Sequence, residues 1–531
     1  MAGNKEKLKR VLGELPLTAE IYWLIRQSER PSASNFSLRN IKEIIPDSVK
    51  AVIKLQEKAP AGKKVFLFAS IHYWIEHEAM LGLALSGLGH KVTLGFFPYG
   101  RWNVQSNQFD IRRQSVYANT ILKPLSQVMT VANLFRNNSV FVKLPKVIQD
   151  GVDQVTDYDF MYYFQTEEIN KDDPFYKFRY ERNLRAAKAL YSYLRTLKPD
   201  VVIIPNGTIL EFGIAYRVSK FLQIPTTTYE FNDQRGSMWL AQNDEIMQQN
   251  TDILWKSHSQ AKLTNGESKQ VESLMSSRRN AALFGNYSRI WQMIPAEGES
   301  AIRKKMGFDD RPVVLMATNV MGDSLTLGRN VFSKSMSEWI IGTIQYFMEK
   351  PDIQLVIRIH PGEALVKHGS ILDMIKHTLP ELPNHIHLID PKADVNTYDL
   401  MDVAHLGLVY TTTVGLEMAM RGIPVVVAGK THYRNRGFTY DPNTWVENFK
   451  LLNRLLGNIR DSRLSKSQIE LAWKYTYLFF FKYPHPFPWH MVHLKEDIEN
   501  CTLDKVFSSA GMKKYRQTFD LMTFIKRIEY L

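Results

Sequence analysis

Three consecutive hydroxyl side chains, Thr411–Thr413, separate two short apolar runs in the last third of the chain. The run before them, Leu406–Tyr410, predicts a buried strand, and the pattern after them predicts a helix that stops at Gly422. A second apolar run, Ile423–Ala428, predicts the next strand. The loop therefore lies at the carboxyl edge of a parallel sheet. Hydroxyl groups, the free N–H groups of a helix start and a basic segment downstream together suit an anionic ligand.

Other polar residues follow predicted strands of the same half. His360 comes directly after an apolar run, and Pro361 holds it in an extended conformation at the sheet edge. Its imidazole could donate a hydrogen bond to a phosphate oxygen, and Glu363 could cap the helix that follows. Asn319 and Asp323 belong to a polar loop after the preceding strand of this half. We expect all of these loops to border one crevice.

In the first half of the chain, polar residues again follow predicted strands. His72 lies on the loop after the first predicted strand, at 64–69, and Asn206 lies at the end of a later predicted strand. Glu230 ends the neighbouring strand, and Asp233 follows it. Carboxyl ends of adjacent parallel strands converge, which favours a shared polar site. The alternatives stay open, because a loop histidine is often structural and a glutamate at a strand end is often a cap or an ion-pair partner.

Composition narrows the class of protein. A chain of 531 residues exceeds what one hydrophobic core usually organises, so we expect two domains. The net charge of +13 favours anionic partners such as nucleotides, charged glycans or a membrane surface, although solvated basic faces would explain it equally well. The charge is dispersed and no nucleic-acid-binding signature occurs, which argues against nucleic acid. The run Glu76-His77-Glu78 lacks the spacing of a zinc peptidase motif, so we expect no metal site.

The single cysteine, Cys501, is typical of a reducing compartment. We find no signal-type apolar core and no apolar segment of membrane-spanning length, so we expect a cytosolic protein. The aromatic run Tyr475–Phe481 is either a packed helix end or a segment that dips into a membrane interface. We therefore add peripheral contact with the inner face of a membrane to the expectation.

Alternating strands and helices predict two doubly wound α/β sheets with helical additions at both ends. We place an N-terminal domain with a helical collar at residues 1–290, a second domain at 291–500 and a helical tail at 501–531. The segment 98–171 is predicted to be loop-rich and to be either an insertion or an acceptor-binding region. The charges of the basic helix predicted within 173–197 are interpreted as a solvated face.

Several motifs of the second half resemble those of capsule and surface polysaccharide biosynthesis proteins, including the sugar transferases of capsule assembly. The matching pieces are TNVMGDS, RIHPGE, VNTYDLMDVA, YTTTVGLEMAMRGIPVVV and GKTHYRNRGFTYDP. The resemblance implies a GT-B-like fold, in which two Rossmann-like domains face a cleft. It further implies an acceptor glycan on the first domain, a nucleotide-sugar donor on the second, and no cofactor or bound metal.

The resemblance also assigns roles to residues. Glu417 would accept hydrogen bonds from the ribose, and Arg434 or Arg436 would neutralise the leaving group. A catalytic base is expected from the first domain, with Glu230, His72 and Asp233 as candidates in that order. The predicted donor-binding residues are Asn319, Asp323, His360, Thr411, Thr412, Thr413, Val414, Gly415, Glu417, Arg434 and Arg436.

These expectations lead to a glycosyltransferase that moves a sugar from a nucleotide donor to a surface polysaccharide or glycolipid. Two alternatives use the same fold. A nucleotide-sugar epimerase would need acid and base groups around the sugar itself, and a non-catalytic glycan-binding or assembly protein would need no nucleotide.

Overall fold

A computed structural model gives the fold of residues 2–26, 36–136, 142–290, 292–365 and 370–529, and the statements below concern these residues. Twelve strands within them form two sheets. In chain order, the strands are β1 (Lys64–Ser70), β2 (Lys91–Phe97), β3 (Thr130–Asn133), β4 (Val201–Pro205), β5 (Thr226–Glu230), β6 (Ser237–Gln242), β7 (Val313–Ala317), β8 (Gln354–Arg358), β9 (Ile386–Ile389), β10 (Ala404–Val409), β11 (Val425–Val427) and β12 (His485–Pro486).

Helices surround both sheets. The α-helices are α1 (Ala2–Glu14), α2 (Thr18–Arg26), α3 (Arg39–Lys42), α4 (Ile45–Gln56), α5 (His72–Gly87), α6 (Gln108–Leu122), α7 (Lys146–Phe164), α8 (Pro174–Leu197), α9 (Leu210–Phe221), α10 (Asp252–His258), α11 (Asn265–Arg279), α12 (Glu299–Met306), α13 (Met336–Met348), α14 (Ile371–Thr378), α15 (Thr397–Val403), α16 (Val414–Met420), α17 (Trp445–Leu456), α18 (Lys466–Tyr477), α19 (Leu494–Asn500), α20 (Leu503–Phe507) and α21 (Ser509–Met522). Short 3-10 turns occur at Lys123–Gln127, Leu134–Arg136, Ile246–Gln248, Pro361–Leu365 and Met491–His493, and a π-helical turn at Leu478–Lys482.

The first sheet has the strand order β12-β6-β5-β4-β1-β2-β3. Its five strands from β5 to β3 are parallel, and β6 and β12 extend it with antiparallel pairing. Strand β4 is buried throughout, and β1 and β2 are buried after their first residues, as expected for continuous apolar runs covered on both faces. The chain builds outward from β1 through β2 to β3, then returns to place β4 on the other side of β1. The direction in which successive strands are added to the sheet therefore reverses between β1 and β4, and we call this place the point of reversal.

The second sheet has the order β11-β10-β7-β8-β9 and is parallel throughout. It follows the same path, so that β7 and β10 flank its point of reversal. A buried aliphatic and aromatic core, with Trp339, Ile340 and Phe347 of α13 on one face of the sheet, holds the strands in place. Two Rossmann-like doubly wound sheets with helical additions confirm the predicted GT-B-like class.

The structure divides into two compact units at places that differ from the predicted ones. The first unit comprises Met1–Asp159, Asn170–Met247 and His485–Ile528, and the second comprises Phe160–Ile169, Gln248–Pro484 and Glu529–Leu531. The predicted boundaries at 290/291 and 500/501 are therefore wrong. Helices α10 and α11 belong to the second unit because they bond to it through buried side chains. The segment after Pro484 returns to the first unit because β12 pairs with β6.

One further expectation is corrected, and one open alternative is decided. Segment 98–171 is not loop-rich, because it contains α6 and α7. In the aromatic run, Tyr475 and Phe479 are at most 3% exposed, so the run packs inside the second unit and is not a membrane contact. Within the described residues, none of the helices is long and apolar enough to cross a bilayer.

Candidate functional site

The point of reversal in the second sheet gathers the predicted donor residues. The loops after β7 and β10 follow the strands at which the strand order reverses, which is where doubly wound folds bind ligands. The side-chain oxygen of Asn319, after β7, accepts a hydrogen bond of 3.1 Å from the backbone N–H of Thr411, after β10. The hydroxyl of Thr318 accepts one of 3.1 Å from the N–H of His360, after β8. Three loops that are distant in sequence are therefore tied together at this edge.

The contacts of His360 fix its protonation. Its Nδ1 accepts a hydrogen bond of 3.0 Å from the N–H of Gly362, so the ring proton of the neutral imidazole lies on Nε2. Burial, together with the positive charges of Arg289 and Arg358, lowers the pKa of His360 to about 4. The ring is therefore neutral at physiological pH and offers one N–H donor. A neutral donor beside two cations suits a phosphate oxygen.

Arg358 is a functional candidate that the sequence reasoning missed. It ends β8, is 4% exposed and donates to the carbonyl oxygens of Asp390 (2.8 Å) and Val395 (3.2 Å). Burial lowers the pKa of its guanidinium to about 10, and the side chain stays charged at neutral pH. Alternation along the strand puts Arg358 and His360 on the same side, so the spacing R-x-H was a signal that could have identified it.

The threonine run is partly used by the fold. The backbone carbonyl of Thr412 accepts a hydrogen bond of 2.5 Å from the phenol of Tyr433, and its hydroxyl accepts one of 3.4 Å from the N–H of Val414. Tyr433 also packs on Gly415, where a Cβ would lie 2.5 Å from the phenol oxygen. Thr411 and Thr413 are half-buried. The predicted phosphate contacts of these residues stay a prediction, and α16 behind them has only seven residues.

Glu417 is buried in an ion pair. Its Oε1 accepts a hydrogen bond of 2.7 Å from Arg278 of α11, and its Oε2 accepts one from the phenol of Tyr398. Its side chain is 6% exposed and that of Arg278 is 2% exposed. Arg278 and Tyr398 were not among the predicted site residues. A ribose hydroxyl could bind only to the lone pairs of the Glu417 carboxylate that Arg278 and Tyr398 do not use. The predicted ribose contact therefore stays a prediction.

The two predicted leaving-group arginines have structural partners. The guanidinium of Arg434 is 8% exposed and donates to the carbonyl oxygens of Val427, at 2.6 Å, and Pro442. It therefore holds its own loop against the sheet, which differs from the predicted role. Arg436 forms an ion pair of 2.6 Å with Asp252. The side chain of Asp252 is 57% exposed. A phosphate could bind Arg436 only if it displaced this carboxylate.

The loop after β7 is shaped by a glycine and two carboxylates. Gly322 has a φ of +69°, and a Cβ there would lie 2.2 Å from the carbonyl oxygen of Met161. Asp323 accepts a hydrogen bond of 2.9 Å from the N–H of Leu325, and burial raises the pKa of its carboxyl. Glu363 accepts one of 2.9 Å from the N–H of Ile371, the first residue of α14. Glu363 thus binds the first N–H group of α14, whereas the N-cap of that helix is Ser370.

At the carboxyl edge of the first sheet, Glu230 and Asn206 do come together. Asn206 Nδ2 donates a hydrogen bond of 3.0 Å to Glu230 Oε2, and the N–H of Phe231 donates one of 3.0 Å to Oε1. Burial raises the pKa of Glu230 despite these two donors. Tyr73, on the turn of α5 nearest this edge, has a phenol pKa raised by burial and by the charges of Glu230 and Glu211. Tyr73 was missed because tyrosines rarely stand out in an aromatic-rich sequence.

The other two predicted base candidates are less well placed. His72 Nδ1 bonds the carbonyl of Ser37 at 3.0 Å, and its ring packs edge-on against Phe36. Burial lowers the pKa of His72, so the ring is a weak proton acceptor. Asp233 lies half-buried in the loop between β5 and β6. Among the three candidates, Glu230 therefore has the environment that best suits a general base.

Beneath this edge lies a buried network of charges. Arg179 contacts Asp159 and Glu211 at 3.0 Å each, and Arg182 contacts Glu211 at 2.8 Å. Burial opposes ionisation of Glu211, but the two guanidinium groups outweigh it and hold its pKa at about 2. Glu211 also accepts a hydrogen bond of 2.7 Å from Ser70, the last residue of β1. The interpretation of α8 as a solvated charged face is wrong for these two arginines.

The turns at this edge have unusual backbone conformations. Ile71, between β1 and α5, has φ +75° and ψ +140°, which a β-branched residue rarely adopts. Gly207 has φ +80°, and a Cβ there would lie 2.6 Å from Thr228 Cγ2. Strain of this kind persists where the surrounding structure fixes the chain, and it is frequent at functional sites. Both turns flank the point of reversal of the first sheet.

The cluster at the start of α5 does not form a metal site. Glu76 accepts hydrogen bonds of 2.8 and 2.9 Å from the backbone and side chain of Asn40. Glu78 and His77 both contact the phenol of Tyr229, at 2.7 and 3.0 Å. No cluster of three or more potential metal ligands occurs among the described residues.

Comparison with known proteins identifies the second unit. The sequence profile of the capsule polysaccharide biosynthesis proteins matches residues 254–480. These residues, which make up less than half of the chain, are similar to that family. This capsule-family segment includes every predicted donor residue, and the resemblance noted from the motifs is confirmed for it. A search of curated proteins gives no significant match.

Solved structures give distant matches. The β-Kdo 2,4 transferase of Thermosulfurimonas dismutans KpsC is 16% identical over 54% of this chain and 82% of its own, with a TM-score of 0.34. The β-Kdo 2,7 transferase of the same protein is 13% identical over 59% and 89%, with a TM-score of 0.33. The UDP-GlcNAc 2-epimerase of Neisseria meningitidis, bound to UDP-GlcNAc, is 13% identical over 79% and 100%, with a TM-score of 0.25. Identities and scores this low do not transfer an activity.

Proposed function

We propose that the protein is a glycosyltransferase that moves a sugar from a nucleotide-activated donor to a capsular or similar surface polysaccharide or glycolipid. The observation that carries the proposal is the loop cluster at the carboxyl edge of the second sheet, within the capsule-family segment. There, Asn319, Thr411 and His360 bring three loops together beside the charges of Arg289 and Arg358. A loop cluster of this kind, with N–H donors and cations, suits the phosphates of an activated sugar.

In this proposal the donor binds to the second unit. The Nε2–H of His360 donates to a phosphate oxygen, and the positive charge of Arg358 and Arg289 stabilises the negative charge that develops as the phosphate leaves. The N–H groups of Val414 and Gly415, which bond atoms of Thr412 at 3.4 and 3.3 Å, turn to the phosphates, and the hydroxyls of Thr411 and Thr413 complete the contacts. Glu417 contacts the ribose through its free lone pairs.

The acceptor binds to the first unit. The bond between the anomeric carbon and the donor phosphate breaks, and the acceptor oxygen forms the new bond to that carbon. If the reaction inverts the anomeric centre, the carboxylate of Glu230 takes the proton of the acceptor hydroxyl. Its raised pKa supports this role, because a stronger base accepts a proton more readily. Asn206 and the N–H of Phe231 hold the carboxylate in place.

We also propose that the reaction takes place in the cytosol, since a single cysteine is typical of a reducing compartment. The test is transfer of a labelled sugar, with UDP-, CMP-, GDP- and CDP-linked donors offered in turn, with and without a capsular oligosaccharide. A transferase incorporates label only when acceptor is present. Conversion of the donor without acceptor would indicate an epimerase, and glycan binding without nucleotide dependence would indicate an assembly protein; either result contradicts the proposal.

A further inference from the structure

Helices α1 and α2 form a hairpin, Ala2–Arg26, that is attached to the first unit along one side. Lys9 Nζ contacts Asp110 of α6 at 2.9 Å, and Arg112 Nη1 donates a hydrogen bond of 2.9 Å to the carbonyl of Gly13. Trp23 is 6% exposed and packs edge-on against Tyr117, with 5.5 Å between ring centroids. The N-terminal hairpin is thus held on α6 by a buried ring and by polar contacts.

The other side of the N-terminal hairpin exposes a row of large apolar side chains. They recur at spacings of three or four residues along each helix and are between 48 and 73% exposed: Leu8, Val11 and Leu15 on or after α1, and Leu17, Ile21, Leu24 and Ile25 on or before α2. Helix α2 is therefore apolar on two sides, because Ala19 and Trp23 face the protein. A helix that is apolar around its circumference normally has a second partner, and an exposed patch of this size marks an interaction surface.

The charges around the row favour an anionic partner. Lys7, Arg10 and Arg26 are exposed on the same two helices, and Glu14 is the exposed acid among the described side chains of the hairpin. The chain carries a net charge of +13. A second copy of the chain would bring the same cations against each other, whereas anionic lipid headgroups would pair with them.

We propose that the N-terminal hairpin docks on an anionic lipid bilayer, with the apolar row inserted at the headgroup boundary and the cations among the headgroups. Amphipathic helices with aliphatic residues on one face and basic residues beside them bind membranes in this way. The contacts with α6 fix the orientation of the hairpin on the first unit, so docking would also orient that unit on the membrane.

A chain of rings connects this surface with the carboxyl edge of the first sheet. The ring of Trp23 packs on that of Tyr117, which packs on Phe36, which packs on His72. The last two pairs of ring centroids are each 6.0 Å apart. His72 begins α5, directly after β1. The docking surface is therefore a few side chains away from the edge to which we assign the acceptor, which suits an acceptor attached to lipid. That last step rests on the proposed function, whereas the docking itself does not.

The test is co-sedimentation of the full chain with vesicles of phosphatidylglycerol and phosphatidylcholine, compared with phosphatidylcholine alone. We expect the wild type to bind the anionic vesicles, with affinity falling as salt rises. The double variant Leu24→Glu with Ile25→Glu should lose about tenfold or more in affinity, because it puts charge in the apolar row. Val492→Glu is the matched control, since Val492 is 74% exposed elsewhere in the same unit, and it should bind like wild type.

A second measurement does not depend on the folding of the charged variant. In a Cys501→Ser background, Ile25→Cys provides a unique attachment point for an environment-sensitive dye, whose emission should shift to the blue with anionic vesicles. Wild-type protein that stays in the supernatant, or a dye that does not respond, overturns the proposal. So does a concentration-dependent dimer that the double variant abolishes, because the partner would then be a second copy. Transfer to a water-soluble acceptor should be equal in wild type and double variant, which separates this test from that of the proposed function.

Discussion

Replacing Glu417 by glutamine leaves the guanidinium of Arg278 buried without its carboxylate. The two side chains are 6% and 2% exposed and their closest atoms are 2.7 Å apart. Removing one partner of such a pair destabilises a protein by about 3–5 kcal/mol, because the other charge stays out of water. For a unit of roughly 150–250 residues this corresponds to a fall in Tm of about 6–20 °C. We therefore expect Glu417→Gln to be strongly destabilised.

The assay is a double-mutant cycle by urea unfolding, with Glu417→Gln, Arg278→Met and the combination. Methionine keeps the contact with the ring of Phe480, over which the guanidinium lies at 4.5 Å. The combined variant has no buried charge, so its loss should be smaller than either single loss and therefore at least about 3 kcal/mol smaller than their sum. Asp402→Asn is the control, because its pairs with Arg279 and Arg421 are partly exposed and should each contribute about 1 kcal/mol or less.

Additive losses in the cycle would refute the assignment of a coupled buried pair. The combined variant also separates fold from function, because it is expected to be nearly as stable as wild type. If Glu417 contacts the ribose, the donor affinity of the combined variant should fall about tenfold, the effect of losing a charged hydrogen bond. An unchanged donor affinity would give Glu417 a purely structural role.

Three further predictions concern single residues. Glu230→Gln should lower the turnover number by about 10²–10⁴-fold with donor affinity unchanged, in steady-state and calorimetric measurements, and a fully active variant would exclude Glu230 as the base. Burial raises the pKa of Glu76 from 4.5 to about 7, so the folded state keeps a proton that the unfolded state loses as pH rises from 4.5 to 7. The unfolding free energy should fall across that window by up to about 1.4 kcal/mol per pH unit from this group, and Glu76→Gln should flatten the slope; an identical slope would contradict the shift. Gly322→Ala should lower the unfolding free energy by about 1–3 kcal/mol, because Gly322 has a positive φ and lies close to the Met161 carbonyl. Gly266→Ala in α11 is the control; its Cβ would meet nothing within 4 Å, so the change should be neutral or stabilising. Equal effects of the two variants would contradict the steric argument.

The strands, and the residues that lie at their carboxyl ends, were predictable from the sequence. Runs such as Val313–Ala317 and Val201–Pro205 are buried on both faces of a parallel sheet, so they are continuously apolar and stand out. The residues directly after each run then had to lie at the carboxyl edge. This local rule located Asn319, His360 and Thr411 in one loop cluster, and Asn206 beside Glu230.

The charges that surround these residues were not predictable in the same way. Arg278 and Glu417 are 139 residues apart, and nothing local to either one indicates the other. Arg179 and Arg182 lie on a helix whose basic residues look like a solvated face, but two acids from distant segments, Asp159 and Glu211, bury them. Pairing of this kind is decided by tertiary contacts.

The predicted position of the domain boundary was wrong for a related reason. Segment 248–286 is mostly polar and falls within the predicted N-terminal domain at 1–290, yet its few buried side chains attach it to the second unit. Thr251 hydrogen-bonds the carbonyl of His432 and the phenol of Tyr475, at 3.1 and 2.6 Å, and so attaches the segment to the second unit. A handful of buried contacts therefore outweighs the average composition of a segment.

The most direct test of the central claim is calorimetric binding of the nucleotide-sugar donor to wild type, His360→Asn and His360→Gln. Asparagine can reproduce the acceptor that bonds the Gly362 N–H but has no group at the position of Nε2, whereas glutamine places an N–H donor there. We predict that His360→Asn weakens donor affinity about tenfold or more and that His360→Gln largely retains it. Equal affinities in wild type and His360→Asn would contradict the assignment of the second unit's carboxyl edge as the donor site.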